Sequence, residues 1–230
     1  MTDLVLVQSV INTGKLAWYY TETRSAYTPE ERYNQSLQTI DSIKKYLPGA
    51  KILYVECSDI PNEYTSSLTS KVDYFINQYN NSEIREAVLE TNNKGIGEAV
   101  LTKSAIEYII QNNLVFNRFF KISGRYSLTD KFVSDNFRND IYTFKRRADT
   151  GNHIVAISTV VYSFPMSFIH NFYRCISAVA DHYKTNSSYY KIHGPRGFEE
   201  LLPIICEPRN EIETIGVAGF VGINNEYFTG

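Results

Sequence analysis

The sequence predicts an α/β fold, a single Rossmann-like domain whose mostly parallel central sheet is flanked by helices. Short, continuous apolar runs recur at Leu4–Val7, Lys51–Val55 and Phe119–Ile122, the pattern of parallel strands buried on both faces. A well-signalled helix separates the first two runs. Each run also ends in a polar stretch, and in open parallel sheets ligands bind beyond the carboxyl ends of the strands.

Taken in order, Leu4–Val7 is strand one, and Gln8, Ser9, Asn12, Thr13 and Gly14 form its loop. Thr28-Pro29-Glu30-Glu31 supplies an N-cap, a proline at the first helical position and two carboxylates for the helix dipole. Tyr33, Leu37, Ile40, Ile43 and Leu47 then follow at helical spacing until Pro48-Gly49 stops the helix. Strand two, Lys51–Val55, runs into Glu56, Cys57, Ser58 and Asp59. A right-handed crossover puts residues 9–14 and 56–59 on one edge. Val72–Ile76 reads as strand three, Gly97–Ile110 as a helix and Phe119–Ile122 as a strand ending at Ser123-Gly124-Arg125-Tyr126. Further on, His153–Val161 reads as a strand, Phe164–Tyr183 as a long helix opened by Pro165, and Phe198–Ile205 as a short helix. The glycine-alternating tail, Ile215–Gly222, is suited to a sheet edge or a pocket wall. With no internal repeat or linker, 1–230 reads as one domain.

The chain is 43% apolar and 21% charged, with a formal net charge of −2, which excludes a disordered chain and gives no basic footprint for nucleic acid. Cys57, Cys175 and Cys206 are odd in number and widely spaced, so they suggest neither a disulfide framework nor a zinc site. No apolar run has the length of a membrane span, and Leu4–Val10 lacks the charged start of a signal peptide, so the expectation is a cytoplasmic protein.

Three stretches carry chemistry. In Asn93-Lys94-Gly95-Ile96-Gly97-Glu98, glycines at a helix start beside a lysine suit a diphosphate, although a plain capped turn explains them equally. Ser123-Gly124-Arg125-Tyr126 sets a guanidinium at a strand end, where it can grip phosphate or pair with a surface carboxylate. Lys191-Ile192-His193-Gly194-Pro195-Arg196-Gly197-Phe198-Glu199-Glu200 leads two cations and a histidine into two carboxylates. Either carboxylate could deprotonate an attacking hydroxyl, or both could simply favour the helix dipole.

Together, Tyr27–Tyr33, Asn93–Ala99 and Phe120–Tyr126 resemble a glycosyltransferase of the GT-A fold, and in particular the small glycosyltransferases of large algal DNA viruses. The resemblance implies a nucleotide-sugar donor, UDP-sugar first, and an oligosaccharide or glycoprotein acceptor. It also implies a donor-binding half at 1–130 and an acceptor-side half at 131–230. For a viral chain the compartment would be the host cytoplasm. Donor-binding positions are then Ser9, Val10, Asn12, Glu56, Asn93, Lys94, Gly95, Glu98, Ser123, Gly124, Arg125 and Tyr126. His193 and Arg196 would meet the acceptor. Glu200 or Glu199 would be the base of an inverting transfer, and adjacent helical positions point about 100° apart, so only one can face the cleft squarely. A divalent metal, Mn or Mg, lacks its usual Asp-x-Asp, because Ser123-Gly124-Arg125 stands in that place. Arg125 or Lys94 would neutralise the leaving group instead, or Asp130 or His193 would help hold the metal.

Two other classes compete. Val88-Leu89-Glu90 ahead of Gly95-Ile96-Gly97 faintly resembles the strand-then-glycine loop of an S-adenosylmethionine-dependent methyltransferase. A glycan- or nucleotide-binding module that has lost turnover is the non-enzymatic alternative.

Overall fold

A computed structural model describes residues 2–18, 21–146, 157–185, 198–222 and 226–230, apart from the side chains of Glu200 and Pro203. Its main sheet has seven strands in the order β3-β2-β1-β4-β7-β6-β8. These are β1 (Leu4–Gln8), β2 (Lys51–Glu56), β3 (Tyr74–Asn77), β4 (Arg118–Ser123), β6 (Tyr142–Arg146), β7 (Ile157–Pro165) and β8 (Arg209–Ile212). β5 (Tyr126–Leu128), β9 (Val217–Phe220) and β10 (Tyr227–Thr229) form a second, antiparallel sheet in the order β10-β9-β5.

The strands β3, β2, β1 and β4 are parallel neighbours, and β7 joins β4 in the antiparallel sense. Alternation sorts their side chains onto two faces. Leu4, Leu6, Leu53, Val55 and Phe119 pack under α4 (Lys94–Gln111) and α5 (Ile169–Thr185). Val5, Val7, Ile52, Tyr54, Phe120 and Ile122 pack under α1 (Pro29–Tyr46). Burial on both faces explains why these strands read as unbroken apolar runs.

Local chemistry accounts for the helix starts. Thr28 and Glu31 form a reciprocal capping box, Glu31 N–H donating to Thr28 Oγ1 at 3.2 Å and Thr28 N–H to the Glu31 carboxylate at 2.8 Å. Asn93 caps α4 by accepting from Gly95 N–H at 2.9 Å.

Several expectations shift. Strand three begins at Tyr74, two residues later than the apolar pattern suggested. The helix expected to open at Phe164-Pro165 begins at Ile169, because Phe164 and Pro165 are the last residues of β7, paired with Phe119 and Arg118. Pairing with β4 holds Pro165 extended, at φ −70° and ψ 153°, so its fixed φ ends a strand there and opens no α-helix. The strand expected over 153–161 is β7, and 153–156 lie outside the described residues. Val88 and Leu89 belong to α3 (Ser82–Leu89), not to a strand, which removes the strand-then-glycine motif on which the methyltransferase alternative rested. α2 (Asn62–Lys71) and α6 (Phe198–Ile205) complete the α-helices among the described residues, and short 3-10 turns lie at Ser134–Asn136 and Met166–Phe168.

Candidate active site

Because β2 lies on one side of β1 and β4 on the other, the chain reverses its direction of winding between β1 and β4. Their carboxyl ends are in register, Gln8 beside Ser123, and such a switch point is where open α/β sheets bind ligands. A cleft with roughly 850 Å³ of empty space, part of it open to solvent, lies there. Gln8, Ser9 and Val10 come to it from β1, Ser123, Arg125 and Tyr126 from β4 and β5, Lys94, Gly97 and Glu98 from α4, and Val221 and Gly222 from the tail. The segment between β1 and α1 adds Thr13, Trp18 and Arg24, and α1 itself adds Arg32.

Five cationic side chains, Arg24, Arg32, Lys94, Lys121 and Arg125, line this cleft against one carboxylate, Glu98. Glu98 is already committed. Its Oε1 accepts from the ammonium of Lys121 at 2.7 Å, and Lys121, only 1% exposed, also donates to Ser123 Oγ at 3.0 Å and to the Thr159 carbonyl at 2.6 Å. Burial raises the Glu98 carboxyl, but Lys121 and Lys94 together outweigh it and hold it below the usual carboxylate range. Burial pulls the Lys121 ammonium down, against the opposing pull of Glu98.

The three arginines have no carboxylate within ion-pair distance among the described residues. Arg32 donates to the Val10 carbonyl at 2.7 Å and to Ser25 Oγ at 3.3 Å. Burial, then the neighbouring Arg125 charge, lowers it to about 9. Arg24 lies 3.9 Å from the centre of the Trp18 ring and donates to the carbonyls of Leu16, Thr91 and Val88. Burial lowers it to about 10. Arg125 differs from both, because its Nε is buried with no hydrogen-bond partner among the described residues.

The structure thus brings Ser9, Val10, Lys94, Glu98, Ser123, Arg125 and Tyr126 to one cleft. Other expected positions support it from behind. Asn12 lines an adjoining groove that shares Thr13 and Arg24 with the cleft. Glu56 is fully buried and accepts from Ile11 N–H, Cys57 N–H and Ser58 Oγ at 2.9, 3.1 and 2.6 Å, so it fixes the β1 loop and does not line the cleft. Asn93 caps its helix. Gly95 faces the Tyr183 ring, where any Cβ would collide, so its glycine serves helix packing. Gly124 lets β4 turn close to β1, since a Cβ there would come within 3.1 Å of Ser9 Cβ. Glu199 accepts from Thr159 Oγ1 at 3.4 Å, behind the Glu98–Lys121 pair. His193, Arg196 and the Glu200 side chain lie outside the described residues.

The residues at the end of β4 do not fit a divalent cation. Ser123 Oγ already bonds the Lys121 ammonium, Gly124 has no side chain and Arg125 is a cation. Asp130 lies within electrostatic reach of Lys45, in the last turn of α1, and does not line the cleft. No group of three or more His, Cys, Asp or Glu forms a possible metal site among the described residues. No helix among them is long and apolar enough to cross a membrane.

No protein-family model matches the sequence, and no curated protein matches it. Solved structures do match the fold. A galactosyltransferase, LgtC, described with donor and acceptor sugar analogues, superimposes with a TM-score of 0.54 at 8% identity, over 91% of this chain and 73% of that one. The apo form of the glycosyltransferase GlyE of Streptococcus pneumoniae gives 0.52 at 10% identity, over 93% of this chain but 45% of the other. A nucleoside-diphosphate-sugar pyrophosphorylase of Vibrio cholerae gives 0.51 at 10% identity, over 94% of both chains. At these identities the likeness is one of fold, and the fold is the glycosyltransferase-like α/β architecture that the sequence predicted.

Proposed function

We propose that the protein transfers a sugar from a nucleotide-sugar donor to an acceptor hydroxyl. The observation that carries this reading is the cleft at the β1/β4 switch point, whose three arginines have no carboxylate within ion-pair distance among the described residues. A guanidinium offers a fixed fork of donors that matches phosphate geometry, and a diphosphate would satisfy this cluster. In the transfer, the bond between the anomeric carbon and the diphosphate oxygen breaks and its electron pair stays on the diphosphate. The acceptor oxygen forms the new bond and loses its proton to a carboxylate. Positive charge fixed at the leaving group stabilises the charge that develops there without reorganisation.

Within this reading, UDP-sugars are the first donor family to try. Glu200 is the base of an inverting displacement, and Glu199, engaged with Thr159, is a positioning residue. The acceptor approaches over an aromatic rim. Phe220 and Tyr227, paired across β9 and β10, are 41% and 62% exposed with ring centres 5.0 Å apart, and Tyr27 lies 6.5 Å from Phe220. They adjoin Val221 and Gly222 of the cleft, and exposed ring faces suit a sugar ring. His193 and Arg196 complete the acceptor side. Kinship with the algal-virus enzymes is a narrower proposal that rests on the three sequence segments quoted above.

Nucleotidyl transfer is the second reading, favoured by the 94% mutual coverage with the pyrophosphorylase. Calorimetric binding of UDP, GDP and dTDP, followed by product analysis with the corresponding sugar nucleotides, separates the possibilities. Binding of one nucleoside diphosphate with sugar release supports transfer. Pyrophosphate-dependent nucleoside triphosphate formation supports the second reading, binding without turnover a non-catalytic module, and binding of none defeats the proposal. Glu200→Gln should lower kcat by about 100-fold or more while leaving donor affinity in place, as removal of a general base does.

A further inference from the structure

We propose that fixed cations alone hold the donor's diphosphate, with Arg125 occupying the station where this fold otherwise carries a divalent metal, so that donor binding needs no metal. The inference rests on the nucleotide-diphosphate reading above and deepens it.

The backbone sets Arg125 at that station. Gly124 N–H donates to the Gln8 carbonyl at 2.9 Å, which ties the end of β4 to the end of β1. The glycine lets the two ends touch, and the next residue therefore starts directly over their junction. On its other side the guanidinium lies against Gly222, where a Cβ would stand 3.0 Å from Nε and 3.2 Å from Cζ. Glycines on both sides leave the side chain room. Its Nε is nevertheless buried and without an acceptor among the described residues, and an orphaned buried donor in a native site calls for an unseen acceptor.

Neither neighbouring carboxylate accepts from Arg125 among the described residues. Glu98 is bound to Lys121 at 2.7 Å, and Glu56 turns one oxygen into the β1 loop, where it accepts three donors, while its other oxygen is buried without a partner there. Arg24 and Arg32 add two further charges without ion-pair partners among the described residues, and neither can lose its proton to relieve the repulsion under physiological conditions. A divalent cation entering among these groups would meet five cationic side chains and a single carboxylate, Glu98, that is already bound to Lys121. A phosphate would meet guanidinium forks, which bind it bidentately. The same residues that repel a metal attract the leaving group.

The test is calorimetric binding of UDP to the full chain in EDTA and again in excess Mn, with GDP and dTDP run in parallel. The two dissociation constants for the bound nucleotide should agree within about threefold, and Arg125→Ala should weaken binding by about 30-fold or more in both buffers. Arg125→Lys, which keeps the charge and loses the fork, should recover only part of that loss and guards against an unfolded alanine variant. A gain test complements these, since the Ser123→Asp/Arg125→Asp variant rebuilds Asp-x-Asp and should bind the nucleotide only with Mn. If the unaltered protein needs Mn for binding, by about tenfold or more, the inference is overturned and the nucleotide-sugar reading stands. If no nucleoside diphosphate binds in either buffer, the reading itself falls.

Discussion

Lys121 lies between Phe120 and Ile122 in a buried strand, and a charged ammonium survives there only because three oxygens surround it. Removing one member of a buried ion pair leaves the other uncompensated, which typically costs about 3–5 kcal/mol, whereas replacing both with apolar groups is often nearly neutral. Lys121→Met should therefore destabilise the protein by roughly that amount, and Lys121→Met/Glu98→Leu should recover most of it in urea denaturation. Equal losses in the single and double variants would show that the pair is not the source. Glu56 makes a different prediction. Burial raises its carboxyl above the ordinary value of 4.5, against the downward pull of Ser58, Ile11 and Arg32. Between that value and the raised one, the folded state binds more protons than the unfolded state, so stability falls as pH rises through the window and returns as pH drops. Glu56→Gln should flatten this slope, as urea midpoints across a pH series would record. The sequence showed Glu56 as an acid at a strand end. It did not show that the carboxylate would turn inward to hold Ile11. Lys121 did carry a signal, since a lysine inside an apolar strand must find partners or be expelled.

At the scale of elements, legibility followed the length and regularity of the pattern. α1 was readable because its cap, proline and first-turn acids all agree, and β1, β2 and β4 because both faces are buried. β5, β8 and β10, of three or four residues each, exist only through pairing with distant partners, and no local pattern announces them. The segment between β1 and α1 has no periodicity, so Trp18 and Arg24 could not be placed in the cleft beforehand. Arg32 reads as an exposed helical charge until α1 is laid against the β1 loop. The turn before β9 shows what such irregular segments demand. Gly216 has φ +65°, and a Cβ there would overlap the backbone of Phe132. Gly216→Ala should cost about 2 kcal/mol or more, since it combines a left-handed backbone with overpacking. Because Thr129 N–H donates to the Gly216 carbonyl, the loss should also loosen β5. Hydrogen exchange of the β5 and β9 amides would show it, and unchanged protection would count against this account.

Across the whole molecule, a formal charge of −2 coexists with a cleft of five cations and one carboxylate. Net charge therefore said nothing of the site, because a local cluster of cations is cancelled in the total by acids elsewhere in the chain. The tail contributes to that concentration. β9 pairs with both β5 and β10, and Ala26 N–H donates to the Gly222 carbonyl at 2.9 Å. The second sheet is thereby bound to the segment carrying Arg24, so the two walls of the cleft are joined across its mouth. A ligand held between them binds only the folded form, and at a hundred times its dissociation constant it should add about 2.7 kcal/mol to stability.

Trp18 is the single tryptophan of the chain, and it stands in the cleft wall with its ring on Arg24 and its indole N–H on the Arg24 carbonyl at 2.9 Å. The protein consequently contains its own optical probe. Tryptophan emission has one source, that source touches the arginine cluster, and no background indole dilutes it. Any anion that draws the Arg24 guanidinium away from the ring should change the emission without a label, which lets occupancy of the cleft be followed in real time on the unaltered chain.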